Sequence, residues 1–258
     1  MKLEQSVCGL KEPLVFWLWS NMAGSPDANR LAGLRNVEDI DFETKDARVL
    51  RGYKLKATDG NGQLTAPGGY LLIMQGNAIL ADQIIGDFAA FASSGLDVYA
   101  YDYRGYGRSG GRARLKAIIS DYVELLAALD ARDYAQHFVY AMSFGGIVLL
   151  DGFDLHGRLD RLIVDSSPGR LSDYGCPSAY DPVNHLPADC SQCLFITGAK
   201  DRVVTGSMSR ALVDTARQRG AAVLHDAQFG HPFMDHDLSI HRRRLQVIEN
   251  YLLHNREP

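Results

Sequence analysis

A serine hydroxyl attacks a carbonyl near neutral pH only when a base takes its proton, usually a histidine held in one tautomer by a carboxylate. Ser143, His231 and Asp201 are the residues of this chain whose settings suit those three tasks. Ser143 stands in Tyr140-Ala141-Met142-Ser143-Phe144-Gly145-Gly146, directly after the run from His137 to Met142 and before the apolar run Ile147 to Leu150. That order reads as a strand, a tight turn with the serine at its apex, and a helix. So sharp a turn crowds the backbone, and small residues two positions either side of the serine relieve it. Ala141 and Gly145 fill those positions, the alanine being a mild departure from Gly-x-Ser-x-Gly.

The elements that must carry these residues follow from hydrophobic patterning. Asp39 to Thr44 and Arg48 to Ala57 alternate apolar and polar residues, which predicts an antiparallel hairpin at a sheet edge. After a Gly/Pro-rich loop the pattern changes to short apolar strands: Tyr70 to Gln75, Asp97 to Tyr103, His137 to Met142, Leu159 to Ser166, Cys193 to Thr197 and Ala222 to Ala227. Helix-length stretches separate them, at Ala78 to Ser93, Arg114 to Ala131, Phe144 to Leu155, Thr205 to Arg219 and Asp237 to His254. In the second of these Leu115, Ile118, Ile119, Tyr122, Leu125, Leu126 and Leu129 recur at three- and four-residue steps, so one stripe faces the sheet. The expected fold is α/β: a doubly wound, mostly parallel sheet covered on both faces, with an antiparallel N-terminal hairpin. Pro168 to Gln192, with Pro177, Pro182 and Pro187, interrupts the alternation and reads as a short lid-like segment of ordered loop and helical turns.

In a parallel sheet the loops after the strands converge on one edge, so an acid and a histidine that follow strands can meet a serine that does the same. Asp201 follows the strand ending near Thr197, in Gly198-Ala199-Lys200-Asp201-Arg202-Val203-Val204. His231 follows the last strand, where Gly230 frees the backbone and Pro232 delays the final helix.

The chain order serine, acid, histidine is that of the α/β-hydrolases and of neither chymotrypsin-like nor subtilisin-like enzymes. Met74-Gln75-Gly76-Asn77-Ala78 resembles the His-Gly-Asn-Ala loop after the third strand of that superfamily. Tyr101-Asp102-Tyr103-Arg104-Gly105-Tyr106-Gly107-Arg108-Ser109 is similar to its Asp-x-Arg-Gly-x-Gly-x-Ser turn. Together with the elbow these landmarks span about residue 39 to residue 254, and they resemble most the branch of depalmitoylase-like and serine-aminopeptidase-like hydrolases. The resemblance implies Ser143 as nucleophile, His231 as general base and then acid, and Asp201 as the group that orients the imidazole. It also implies an oxyanion hole from the backbone N–H groups of Asn77 and Phe144, and neither metal nor organic cofactor. Gln75 departs from the family's usual histidine, and the stretch before the seventh strand is short beside the lids of many relatives. The implied activity is hydrolysis of small carboxylic esters or thioesters. Cleavage of short peptides by the same triad is the alternative within enzymes, and a non-catalytic binding module the alternative outside them.

Rival readings of single residues are weaker. Asp165 also ends a strand, in Ile163-Val164-Asp165-Ser166-Ser167-Pro168-Gly169, but the Gly-x-x-Asp-x-x-Val form around Asp201 is the more specific match; His236 lies five residues past His231 and enters the last helix. Gly105-Tyr106-Gly107-Arg108-Ser109-Gly110 matches a dinucleotide fingerprint out of context, since that motif opens the first strand–helix unit, so it reads as a structural turn bordering the site. Cys190 and Cys193, with Cys176 and His185 nearby, make one tight pair where a structural zinc site needs two.

Composition sets the outer limits. With 258 residues, 46% of them hydrophobic, the chain is long enough for one large core, which we read as a single domain over 1–258 with an N-terminal extension over 1–36 and the lid-like insertion at 168–192. A formal charge of −4 leaves no basic surplus for nucleic acid. Arg242-Arg243-Arg244 reads as a solvated helix face. Four cysteines are too few for a disulfide scaffold and fit, without demanding, a reducing compartment, the cytoplasm by default. Pro13 to Trp19 is too short to span a membrane and badly flanked for a signal peptide. Because it holds both tryptophans, Trp17 and Trp19, it is expected either to dock on the core or to touch a membrane or partner surface.

Overall fold

In the computed structural model, which describes residues 8–152 and 159–254, one eight-stranded sheet organises the chain. The strands are β1 (Val37–Glu43), β2 (Val49–Leu55), β3 (Gly69–Met74), β4 (Leu96–Tyr101), β5 (Gln136–Met142), β6 (Arg161–Asp165), β7 (Cys193–Gly198) and β8 (Ala222–Asp226), in the spatial order β1-β2-β4-β3-β5-β6-β7-β8. β1 and β2 form the expected hairpin, with Val37 opposite Leu55 and Glu43 opposite Val49, and β2 joins β4 antiparallel. From β4 to β8 every pairing is parallel.

The middle residues of β3 to β7 are largely apolar because both faces of those strands are covered. Leu72, Met74, Val139, Ala141, Val164 and Phe195 point to one face, where α3 (Leu115–Asp130), α4 (Phe144–Gly152) and α5 (Gly206–Gln218) lie; Leu126, Leu149 and Leu212 belong to the same cluster. The alternate residues Leu71, Ile73, Tyr140, Ile163 and Ile196 point to the other face, against Phe91 of α2 (Ala89–Ser93) and Ile248 and Leu252 of α6 (Leu238–His254). The period of two along the strands thus sorts side chains between two helical layers. The chain winds outward from β3 to β4, then returns to place β5 on β3's other side. At that reversal the loops after β3 and β5 part, which opens a crevice beyond their C-terminal ends.

Two expectations are corrected. The long helix expected over Ala78 to Ser93 breaks into 3₁₀ turns at Ala81–Gln83 and Ile85–Phe88 before the short α2. Its start is held by outside partners: Asp102 accepts from the Ala81 N–H at 2.8 Å, and buried Asp82 accepts from the Asp27 N–H and Arg30, each at 2.7 Å. The second concerns the cysteines. Cys8 and Cys176 form a disulfide with Cα atoms 5.2 Å apart across a separation of 168 residues, so only Cys190 and Cys193 remain as thiols, both buried. Bridges of that kind persist in oxidising surroundings rather than reducing ones. The pairing depends on where the N-terminal segment docks, which spacing along the chain does not reveal.

That segment forms α1 (Glu12–Met22), with Val15 and Phe16 buried, Trp19 half-buried and Trp17 59% exposed. One tryptophan therefore docks and the other faces outward. Glu12 accepts from the Leu115 N–H at 2.7 Å, placing a carboxylate on the first turn of α3, whose own N-cap residue Arg114 supplies no side-chain bond. The end expected for α4 at Leu155 lies outside the described residues. Among the described residues no helix is long and apolar enough to cross a membrane.

Candidate active site

Ser143 follows β5 at once and has φ of 53°, a left-handed conformation that costs a non-glycine residue on the order of 1–3 kcal/mol. The surroundings over-determine it. The Ser143 N–H donates to the Asp165 carbonyl at 2.8 Å, and the Ser167 hydroxyl donates to the Ser143 carbonyl at 2.6 Å. Close packing beneath the turn explains the glycines. A Cβ on Gly145 would sit 2.0 Å from the Met74 carbonyl oxygen, and one on Gly146 would sit 1.9 Å from the Ser167 hydroxyl. The elbow is pressed against the end of β3 on one side and the loop after β6 on the other. Ser166 and Phe233, with φ of 54° and 62°, are strained in the same way close by.

His231 sits in the loop between β8 and α6, and its Nδ1 lies 2.9 Å from Asp201 Oδ2. The other carboxylate oxygen of Asp201 accepts from the N–H groups of Val203 and Val204 at 2.8 and 2.9 Å. Burial alone would raise the Asp201 carboxyl; the hydrogen bond and charge of His231 and the two backbone donors outweigh it and hold the group below the usual carboxylate range. With Nδ1 committed to the carboxylate, the neutral ring carries its free lone pair on Nε2. Ser143 and His231 line one cavity of about 520 Å³, together with Gly76, Asn77 and Phe144. Phe144 opens α4, so its N–H has no carbonyl partner one turn back in the helix. The structure thus brings together Ser143, His231, Asp201, Asn77 and Phe144. His236 is exposed and does not line the cavity.

The rival acid Asp165 is engaged elsewhere. Both its oxygens accept from Arg244 Nη1, at 2.6 and 2.8 Å, and Tyr140 donates to it at 2.9 Å. The reading of Arg242-Arg243-Arg244 as a solvated face is therefore corrected: Arg243 pairs with Asp226 and Arg244 is 1% exposed. Helical spacing carried a signal, because Arg244 falls four residues from Ile240 and four from Ile248, on the apolar stripe of α6. Arg244 Nη2 also donates to the Gly230 carbonyl at 2.6 Å, while Asp235 accepts from the Gly230 N–H at 2.9 Å. These bonds clamp the residue before His231 from both sides. Replacing Arg244 by Ala strands a fully buried carboxylate and is expected to cost about 3–5 kcal/mol, read as a lower urea midpoint. Adding Asp165→Asn to that variant should recover part of the loss; no recovery would mean that the two side chains are not coupled.

The loop after β3 is braced without the family's usual histidine. Gln75 Nε2 donates to the Tyr101 carbonyl at 2.7 Å, and the Tyr103 hydroxyl donates to the Gln75 carbonyl at 2.6 Å. Tyr103 also packs edge-on against Phe144, with ring centroids 5.3 Å apart. The Asp102 to Ser109 turn borders the site through this tyrosine. Asp102 itself turns away, and burial raises its carboxyl to about 6.

A sheet of this order, with a strained serine after β5 and an Asp–His pair after β7 and β8, is the α/β-hydrolase fold. The model of the serine aminopeptidase family S33 matches residues 65–180. The chain is 28% identical over 141 residues to polyketide transferase claH of Penicillium crustosum, a match over 52% of this chain and 44% of that protein. It is 24% identical over 194 residues to the human alpha/beta hydrolase domain-containing protein 17B, over 70% of this chain and 65% of the relative. These matches span less than half of the first relative and just under two thirds of the second. Among solved structures, the esterase Pf2001 of Pyrococcus furiosus superposes with a TM-score of 0.63 at 16% identity, over 90% of this chain and 94% of that one.

Proposed function

We propose that this chain is a serine hydrolase that cleaves carboxylic esters or thioesters through an acyl-serine intermediate. The observation that carries the reading is a strained serine sharing one cavity with a histidine whose Nδ1 is held by a buried carboxylate. In this mechanism Ser143 Oγ attacks the substrate carbonyl while His231 Nε2 takes its proton. The C–O or C–S bond to the leaving group then breaks, and the imidazolium returns the proton to that group. Water repeats the sequence on the acyl-serine, releasing the acid and restoring Ser143. Asp201 stabilises the imidazolium formed in each half. The N–H groups of Asn77 and Phe144 serve as the oxyanion donors, a role worth about 2.7–4 kcal/mol per donor in related chemistry.

The family description favours a second reading, an aminopeptidase. Such an enzyme must hold the free ammonium of its substrate, normally with a carboxylate. None of the described residues lining the cavity is Asp or Glu, and that supports the ester reading over the peptidase one. A binding module would have no use for a filled Ser–His–Asp set. The test is a panel of p-nitrophenyl esters, acyl thioesters and aminoacyl p-nitroanilides offered to the purified protein. Turnover of esters and thioesters without release of p-nitroaniline is expected. Preferential cleavage of the aminoacyl amides would replace this proposal with the peptidase, and no turnover of any class with the binding module.

A further inference from the structure

We propose that α1 is the acyl-binding wall of the site, stapled in place by the Cys8–Cys176 disulfide, and that the substrate carries an unbranched apolar acyl chain of medium length, on the order of six to ten carbons. This rests on the serine-hydrolase reading above and specifies its substrate.

The loops after the strands supply the reacting groups, but they do not close the cavity. Part of its lining comes from the other end of the chain, Trp19 and Met22 of α1, and part from Leu171 and Tyr174 of the lid-like segment, alongside Ile147 and Met208. Phe16 and Trp19 pack against the ring of Phe144, the residue that follows the serine, with centroids 5.7 and 6.2 Å away. The position of α1 is therefore coupled directly to the elbow. Its far end is tied by Gln83 Nε2, which donates to the Ala23 carbonyl at 2.9 Å. Its near end is tied covalently, since Cys8 precedes α1 and Cys176 closes the turn Ser172–Tyr174. That turn is itself held by buried Asp181, which accepts from the Ser172 N–H and hydroxyl, each at 2.7 Å.

A wall rich in tryptophan, methionine and leucine offers an acyl chain dispersion and water exclusion and offers a polar chain few hydrogen-bonding partners. A cavity of about 520 Å³ lies within the range of small-ligand sites and admits a medium chain, not one of many turns. Met22 is 73% exposed at the rim, so chains beyond that length would project into water and gain nothing further.

The experiment is a series of p-nitrophenyl esters from acetate to laurate, run alongside fluorophosphonate labelling. For the wild-type protein kcat/KM is expected to rise by about four-fold per added methylene up to the octanoate and then level off. Trp19→Ala should cut the octanoate-to-acetate ratio by roughly ten-fold or more, mostly through KM, and Trp19→Phe should restore much of it. Cys8→Ser changes no lining residue but frees the near end of α1, so it should lower the same ratio, the octanoate losing more through KM than the acetate. If Trp19→Ala fails to fold, Cys8→Ser decides. A labelled, active enzyme that prefers acetate, or a ratio untouched by these variants, overturns the proposal while leaving the serine-hydrolase reading intact. A wild-type protein that neither labels nor turns over any ester defeats that reading instead.

Discussion

Ser143→Ala is expected to lower kcat on a short aryl ester by on the order of 10⁶ and to abolish labelling by a fluorophosphonate probe. The magnitude follows from what is removed. Without Oγ no acyl-enzyme forms, and His231 and Asp201 have no hydroxyl left to activate. Only the oxyanion donors and substrate positioning would remain, enough for a small residual rate over water. Stability should hardly move, within about 0.5 kcal/mol, since alanine keeps the Cβ and meets the same backbone strain at φ of 53°. Near-normal thermal unfolding with lost turnover separates a chemical role from a structural one. Labelling that survives the substitution would place the nucleophile elsewhere.

The second large effect is expected at Asp201. Asp201→Asn preserves the volume but can present an N–H toward Nδ1, which favours the tautomer whose Nε2 carries a proton and cannot accept one from Ser143. In serine-protease triads this exchange costs about 10⁴ in kcat, and a loss of similar order is expected here. Asp165→Asn discriminates between the two acids. Because Arg244 occupies both Asp165 oxygens, that variant should lose stability first and turnover only secondarily. A greater loss of turnover in Asp165→Asn than in Asp201→Asn would reverse the assignment. There is a pH signature as well. The Asp201 carboxyl sits below its ordinary value in the fold, so the pair contributes stability that is fully present above the unfolded carboxylate pKa near 3.9. That contribution is lost as pH falls through the lower folded value. The stability gap between wild type and Asp201→Asn should therefore be widest near neutrality and close in acid.

The sheet was legible in the sequence because parallel strands covered on both faces must be largely apolar, and β3, β4 and β7, buried at every position, are so but for Asp97 and Thr197. The long helix over residues 78–93 was not legible as two 3₁₀ turns. What interrupts it are bonds from Asp102 and from Asp27 and Arg30, and these belong to other parts of the chain. The same division runs through the site. Ser143 declares itself locally, since a strand, small residues and a helix-forming run around one serine are all within a few positions of it. Asp201 and His231 are nearly as clear because each follows its own strand.

By itself, then, the sequence pointed to the fold class, the order of the strands' terminal loops, and a serine, a histidine and two rival carboxylates that follow strands toward one sheet edge. Tertiary structure alone decided which carboxylate meets the histidine, since Arg244 takes Asp165 from 79 residues away. It also decided what closes the cavity, through α1 and a disulfide across 168 residues. The physical reason is common to both. Periodicity and turn chemistry record which way a side chain points along its own element, whereas an ion pair, a cross-link or a pocket wall depends on which distant element arrives opposite it.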